Sequence, residues 1–266
     1  MCYHLQSIYN KDAMFPTVDA TYVIHLKGNG RYNDVKQQLD QYPFTKVVHI
    51  LFNEGFKKCS KPNIKSSVQD LIDANLYCMK HAKRQQYDNI LILEDDFIVD
   101  HQIHKHTDNI NNFVKTHEKK EFIYRLGCIP GIMIPYDSNN YRGQSGGTHA
   151  VIYSKKMCNT ILKIKQEKIN DLDEYINIYY VPYIYYTPIV YQLFPETENK
   201  SKWGSTGNMY TKIIVYFNHI IIYVLQLDKQ IEPGYSIMYI FAKLWWIVFL
   251  ILLFVLIFFY RIQNNK

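Results

Sequence analysis

The chain has no run of five or six like charges, no CxxC pair and no zinc-finger or RNA-recognition motif. The common nucleic-acid modules carry one of these features, so nucleic acid is not an expected partner. The five cysteines, Cys2, Cys59, Cys78, Cys128 and Cys158, are odd in number and scattered. That spacing fits neither a disulfide framework nor a structural zinc site, and reduced core thiols in a cytosolic domain are expected. The opening MCYHLQSIYNKDAMFP contains no apolar core of the secretory-signal kind. Internal repeats and low-complexity linkers are absent as well. What remains fits one α/β domain of roughly 200–230 residues with an appendage.

Against these absences stands one long hydrophobic run near the C-terminus. Residues 244–260 read LWWIVFLILLFVLIFFY without a charge, and extending back to residue 237 adds only Lys243. A bilayer span needs about 20 apolar residues. Trp245 and Trp246 suit one interface and Tyr260 the other, while Lys243 and Arg261 can snorkel outward. The expectation is a single-pass tail anchor over 237–260 with a polar tail at 261–266 and the catalytic part in the cytosol. Residues 211–227 are apolar but interrupted by Asn218 and His219, which suits an interfacial or packed helix within a connector over 210–236. The catalytic domain then occupies 1–209. A net charge of +6 fits a nucleotide phosphate or an anionic membrane surface. The 24 tyrosines read as codon bias of the source and not as a property of the fold.

Periodicity within 1–209 alternates between strand and helix. TYVIHL at 21–26 is a buried strand ending at Gly28 and Gly30. Residues 31–41 have helical spacing. KVVHILF at 46–52 is a second strand, 66–83 an amphipathic helix capped by Ser66 or Ser67, and NILIL at 89–93 a third strand. Later strands are expected at 122–126, 131–134 and 150–153, a loop at 135–147, a helix at 156–166, and a loop at 170–175 leading into another helix. This order predicts an α/β fold with a mostly parallel, doubly wound sheet flanked by helices.

The third strand runs directly into Glu94, Asp95 and Asp96. Ligands of open α/β sheets bind outside the C-terminal strand ends. Three adjacent carboxylates between two buried apolar runs repel one another, and a hard divalent cation such as Mn2+ or Mg2+ relieves this. Side chains alternate along extended chain, so Glu94 and Asp96 share one side and Asp95 takes the other. GGTHAVIYS at 146–154 adds Gly147, which allows close backbone approach to a ligand. It also adds His149, which reads as a metal ligand, a sugar contact or a core imidazole. Asp171 and Asp173 offer a general base, or an N-cap with first-turn acid. Residues 195–203 could close over a diphosphate, and Asn199 begins a formal glycosylation sequon.

TYVIHL with Arg31 downstream, ILILEDDF, GGTHAVIYS, and the Asp171/Asp173 loop followed by Pro188 and Gln192 together resemble the family-25 type glycosyltransferases. This group includes lipooligosaccharide and collagen galactosyltransferases. The resemblance covers roughly residues 20–205. It implies a GT-A fold, a UDP-sugar donor, Mn2+ (or Mg2+) and inversion by direct displacement onto a glycan, protein or lipid hydroxyl. It implies further that Asp96 ligates the metal and that Glu94 lies near the ribose or a metal-bound water. Asp95, Arg31, Gly147 and His149 then line the donor, and Asp171 or Asp173 is the base. A membrane-anchored binding or scaffold protein on the same fold is the competing reading, and a metal-dependent nucleotidyltransferase or phosphohydrolase is a third.

Overall fold

A computed structural model describes residues 2–194, 216 and 219–264. Expectations that fall on 195–203, the Asn199 sequon and the domain boundary at 208–211 lie outside the described residues.

The hydrophobic runs become the middle of a nine-stranded sheet. The strands are β1 (Tyr3–Tyr9), β2 (Ala20–Leu26), β3 (Val47–Asn53), β4 (Asn89–Glu94), β6 (Ile123–Arg125), β7 (Ile129–Pro135), β8 (Asn140–Gly146), β9 (Ala150–Ser154) and β10 (Tyr183–Tyr185). Their order is β1-β3-β2-β4-β9-β6-β10-β8-β7. Two further strands, β5 (Phe97–Val99) and β11 (Val190–Gln192), form a small antiparallel sheet. The large sheet is mixed. Only β2·β3, β2·β4 and β6·β10 pair in parallel, so the parallel portion is smaller than strand–helix alternation suggests.

Helices cover both faces. Val23, Leu91 and Leu93 pack with Val35 and Leu39 of α1 (Tyr32–Gln41) and with Ile110 and Phe113 of α3 (Thr107–His117). Tyr22, Ile24, Ile90 and Ile92 point the other way. They meet Ile72 and Met79 of α2 (Ser67–Gln85), Met157 of α4 (Lys155–Ile161) and Ile176 of α5 (Leu172–Tyr179). Odd and even positions of each central strand therefore feed different layers, which is why these strands read as continuous apolar runs. Ser66 caps α2, its side chain accepting from the Gln69 N–H at 3.2 Å.

One strand contradicts its local sequence. Polar NYRGQSG was expected to be loop, yet it forms β8 because β7 and β10 supply ladder partners on both sides. β1 adds antiparallel to β3. That pairing carries Cys2 to Cys59, whose Cα atoms are 5.5 Å apart, and the two form a disulfide. The expectation of five reduced thiols is thereby corrected, because a sequence separation of 57 residues is closed only by the strand pairing. Cys78, Cys128 and Cys158 are free and buried. A disulfide belongs to oxidising surroundings, so the cysteines give no support to a cytosolic placement.

The C-terminal helix spans Gly234–Asn264, and Gly234–Phe258 is long and apolar enough to cross a membrane. Its first turns are not free. Tyr235, Met238, Tyr239 and Ala242 are buried in a third cluster with Cys128, Met133, Ile184, Tyr191 and Phe194. Ile222 and Leu227, from the helical stretch 219–224 and the turn after it, complete that cluster.

Candidate functional site

Parallel pairing of β2 and β4 places Ile24 opposite Glu94, so the β2–α1 loop and the acidic triplet emerge at the same sheet edge. The strand ends at Glu94 and the chain turns through Asp95 and Asp96, so the alternation expected of extended chain does not carry through the triplet, and Arg31 Nη1 reaches both Asp95 and Asp96. Asp95 is buried and accepts from His25 Nδ1 at 2.8 Å, the Leu26 N–H at 2.9 Å, Asn29 Nδ2 at 2.7 Å and Arg31 Nη1 at 3.0 Å. Burial pushes its pKa up, but these donors outweigh burial and hold it below the ordinary carboxylate value. Asp95 is thus the anchor of the β2–α1 loop, with both oxygens engaged by protein.

Asp96 is placed differently. Its Oδ2 accepts from Arg31 Nη1 at 3.1 Å and Gln192 Nε2 at 2.9 Å. Its Oδ1 is buried without a hydrogen-bond partner. Gln192 reaches it because the small sheet pairs Gln192 with Phe97. Glu94 accepts from Thr148 Oγ1 at 2.7 Å. Burial and then the Asp96 charge raise the Glu94 carboxyl to about 8, and burial raises Asp96 as well.

Asp173 joins the group from the first turn of α5. Its Oδ2 accepts from the Gly147 N–H at 2.6 Å and its Oδ1 lies 3.1 Å from Arg125 Nη2. Arg125 is fully buried on β6 and donates through Nη1 to the Gly147 carbonyl at 2.8 Å. Burial pushes Asp173 up to about 6 despite Arg125. Asp171 does not enter the group. It is the N-cap of α5, its Oδ1 accepting from the Glu174 N–H at 3.0 Å.

His149 lies behind this surface, fully buried, with Nε2 3.2 Å from the Val190 carbonyl. A carbonyl only accepts, so Nε2 carries the proton and Nδ1 is a lone pair with no hydrogen-bond partner. Burial lowers its pKa to about 4, leaving a neutral imidazole. Gly147 has φ +90, and a Cβ there would sit 2.9 Å from His149 Nδ1. The glycine therefore makes room for the imidazole as well as turning the chain.

The acids are not uncompensated, as the sequence alone suggests. Arg31 serves Asp95 and Asp96, and Arg125 serves Asp173. Four carboxylates against two arginines leave two negative charges, before any proton on Glu94. Among the described residues no group of three or more His, Cys, Asp or Glu side chains is gathered as a complete metal site. An all-oxygen set of one or two carboxylates with one orphaned oxygen fits Mg2+ or Mn2+, which take remaining ligands from water and phosphates. Sequence reasoning passed over Thr148, Arg125, Asn29 and His25. Arg125 had a signal, since it is the one charge in the apolar stretch FIYRLGC.

No family model matches the chain, and no curated protein matches it. Among solved structures it is similar to a glycosyltransferase involved in the glycosylation of the major capsid of PBCV-1. That likeness has a TM-score of 0.38 and 13% identity, over 61% of this chain and 76% of that one. It is also similar to A197 from STIV, at a TM-score of 0.39 and 10% identity, over 62% of this chain and 81% of that one.

Proposed function

We propose that the chain is a metal-dependent glycosyltransferase of the family-25 type that moves a sugar from a UDP-sugar to a hydroxyl acceptor with inversion. One observation carries the reading. Asp96 is half-buried just past the end of β4, with one oxygen held by Arg31 and Gln192 and the other buried and unpartnered, beside a Glu94 whose carboxyl is raised by burial and by the Asp96 charge.

Asp96 and Glu94 would hold the cation, which supplies electrostatic stabilisation of the departing diphosphate. Thr148 orients Glu94, and Arg31 and Gln192 fix the rotamer of Asp96. The acceptor oxygen bonds to the anomeric carbon as the bond from that carbon to the diphosphate oxygen breaks, and UDP leaves with the electron pair. The acceptor proton passes to the Asp173 carboxylate, whose side chain is one quarter exposed beside Arg125. With a carboxyl raised to about 6, Asp173 suits the role of base near neutral pH better than the capping Asp171.

Full-length protein in detergent, assayed against UDP- and GDP-sugars, should release UDP in a Mn2+-dependent way. Asp96→Ala should cut that release by roughly 100-fold or more while leaving the unfolding midpoint nearly unchanged. Unimpaired turnover in this variant overturns the assignment. The competing reading, a non-catalytic binder, is favoured by Arg31 already bridging Asp95 and Asp96. It predicts no UDP-sugar thermal shift that depends on Mn2+.

A further inference from the structure

The first turns of the C-terminal helix are part of the site's framework. The Tyr235 hydroxyl donates to the Gln192 carbonyl at 2.9 Å and accepts from the Gln192 N–H at 3.2 Å. The Gln192 side chain in turn holds Asp96. One residue thus links the candidate membrane helix to the acid on which the proposed chemistry depends. Tyr235 is fully buried, and a Cβ at Gly234 would meet Leu227 Cδ2 at 2.4 Å, so the helix start is seated tightly. One turn on, the Tyr239 hydroxyl lies 3.3 Å from Cys128 Sγ. After another turn Lys243 Nζ sits 5.5 Å from the rings of Tyr141 and Tyr186. The helix therefore runs along β7 from the site toward the β7–β8 turn, where Pro135 faces Tyr141.

Docking ends there. Leu244 and Trp245 are 48% and 52% exposed, and the apolar side chains from 247 to 258 are exposed. Ile134 and Tyr136, at the same β7–β8 turn, are exposed beside this boundary. From Tyr235 to Lys243 the helix advances roughly 12 Å at 1.5 Å per residue. The interfacial zone of one leaflet accounts for about 5–8 Å of that. Among the described residues the helix passes unbroken from its docked turns to its exposed ones.

Resting on the glycosyl-transfer reading above, we infer that the acceptor is a membrane-resident amphiphile whose hydroxyl-bearing headgroup lies at the bilayer surface. A site held at this height meets headgroups at high local concentration in two dimensions. The transfer joins the headgroup oxygen to the anomeric carbon, breaks the bond from that carbon to the diphosphate oxygen, and passes the headgroup proton to Asp173.

The test uses full-length protein in phosphatidylcholine vesicles with Mn2+ and the radiolabelled UDP-sugar that shows UDP release. Three acceptors are compared: vesicles doped with glycosyl-diacylglycerols, glycosylceramides and total polar lipids of the expressing cells; soluble methyl glycosides of the same sugars; and a soluble glycoprotein. The expected result is label in the lipid phase at a rate at least about tenfold above either soluble acceptor. Equal or faster labelling of the glycosides or the glycoprotein overturns the inference, as does UDP release with no label entering lipid. Absence of Mn2+-dependent UDP release overturns the donor reading itself and this inference with it. A second variant carries a ten-residue Gly-Ser insertion after Lys243, which leaves the docked turns intact and lifts the site. Transfer to lipid should then fall by about tenfold with acceptor-free UDP release unchanged. Undiminished lipid transfer in that variant counts against the inference.

Discussion

Asp95 and Asp96 are adjacent carboxylates in opposite physical situations. Asp95 accepts four protein donors, whereas Asp96 leaves one buried oxygen unsatisfied. Substituting each should therefore separate structure from chemistry. Asp95→Asn should lower stability by about 2–4 kcal/mol, the lower side for a broken buried pair because Arg31 is partly in solvent. Denaturant unfolding with the linear extrapolation reads this directly, and an unchanged midpoint would contradict the anchoring role. Asp96→Ala removes a crowded charge and should cost little stability while ending turnover. Gly147→Ala forces a Cβ at positive φ against His149. It should cost about 1–3 kcal/mol and displace the N–H that holds Asp173. A variant as stable as the parent would show that the backbone there is free to relax.

At the scale of elements, β3 and α2 enclose two imidazoles packed edge to face. His49 and His81 lie with ring centroids 4.9 Å apart. His49 also faces Ser7, Tyr22 and Tyr87, and His81 faces Tyr22 and Arg84. Burial and then His81 lower the His49 pKa to about 4, below the ordinary 6.5. The folded state thus favours the neutral ring. The stabilisation is complete above about pH 6.5 and is lost as pH falls toward 4. Thermal unfolding between pH 7.5 and 4.5 should show a falling midpoint, and the pair His49→Gln with His81→Gln should flatten it. A parent profile already flat over that range refutes the coupling. The β1 edge is held by Cys2–Cys59. Reductant should lower stability by about 2–4 kcal/mol in the parent and have no effect on Cys2→Ser. Elements whose residues point into a core were legible from spacing, as with β2, β4 and α2. β8 was not, because NYRGQSG carries little apolar pattern and is fixed by β7 and β10; α3 carries Ile110, Phe113 and Val114 at helical spacing, a signal the sequence reading passed over.

For the molecule as a whole, residues beyond 209 contribute to the third cluster. Ending the chain there removes Ile222, Leu227, Tyr235, Met238, Tyr239 and Ala242 from the cluster that covers Cys128, Met133 and Ile184. Such a chain should elute as aggregate in size-exclusion chromatography, whereas one ending at Lys243 keeps these contacts. Monodisperse behaviour of the shorter chain would show that the helix is dispensable to the fold. The amino-acid sequence by itself determined the central strands, the acidic triplet at a strand end and the long apolar helix. Each is a local pattern of burial read along a few consecutive residues. Tertiary structure alone decided that Asp173 joins the triplet. It also decided that Cys2 meets Cys59 and that Tyr235 braces Gln192 against Asp96. These pairings join residues tens of positions apart, and nothing short of strand order and helix docking brings them within hydrogen-bonding distance.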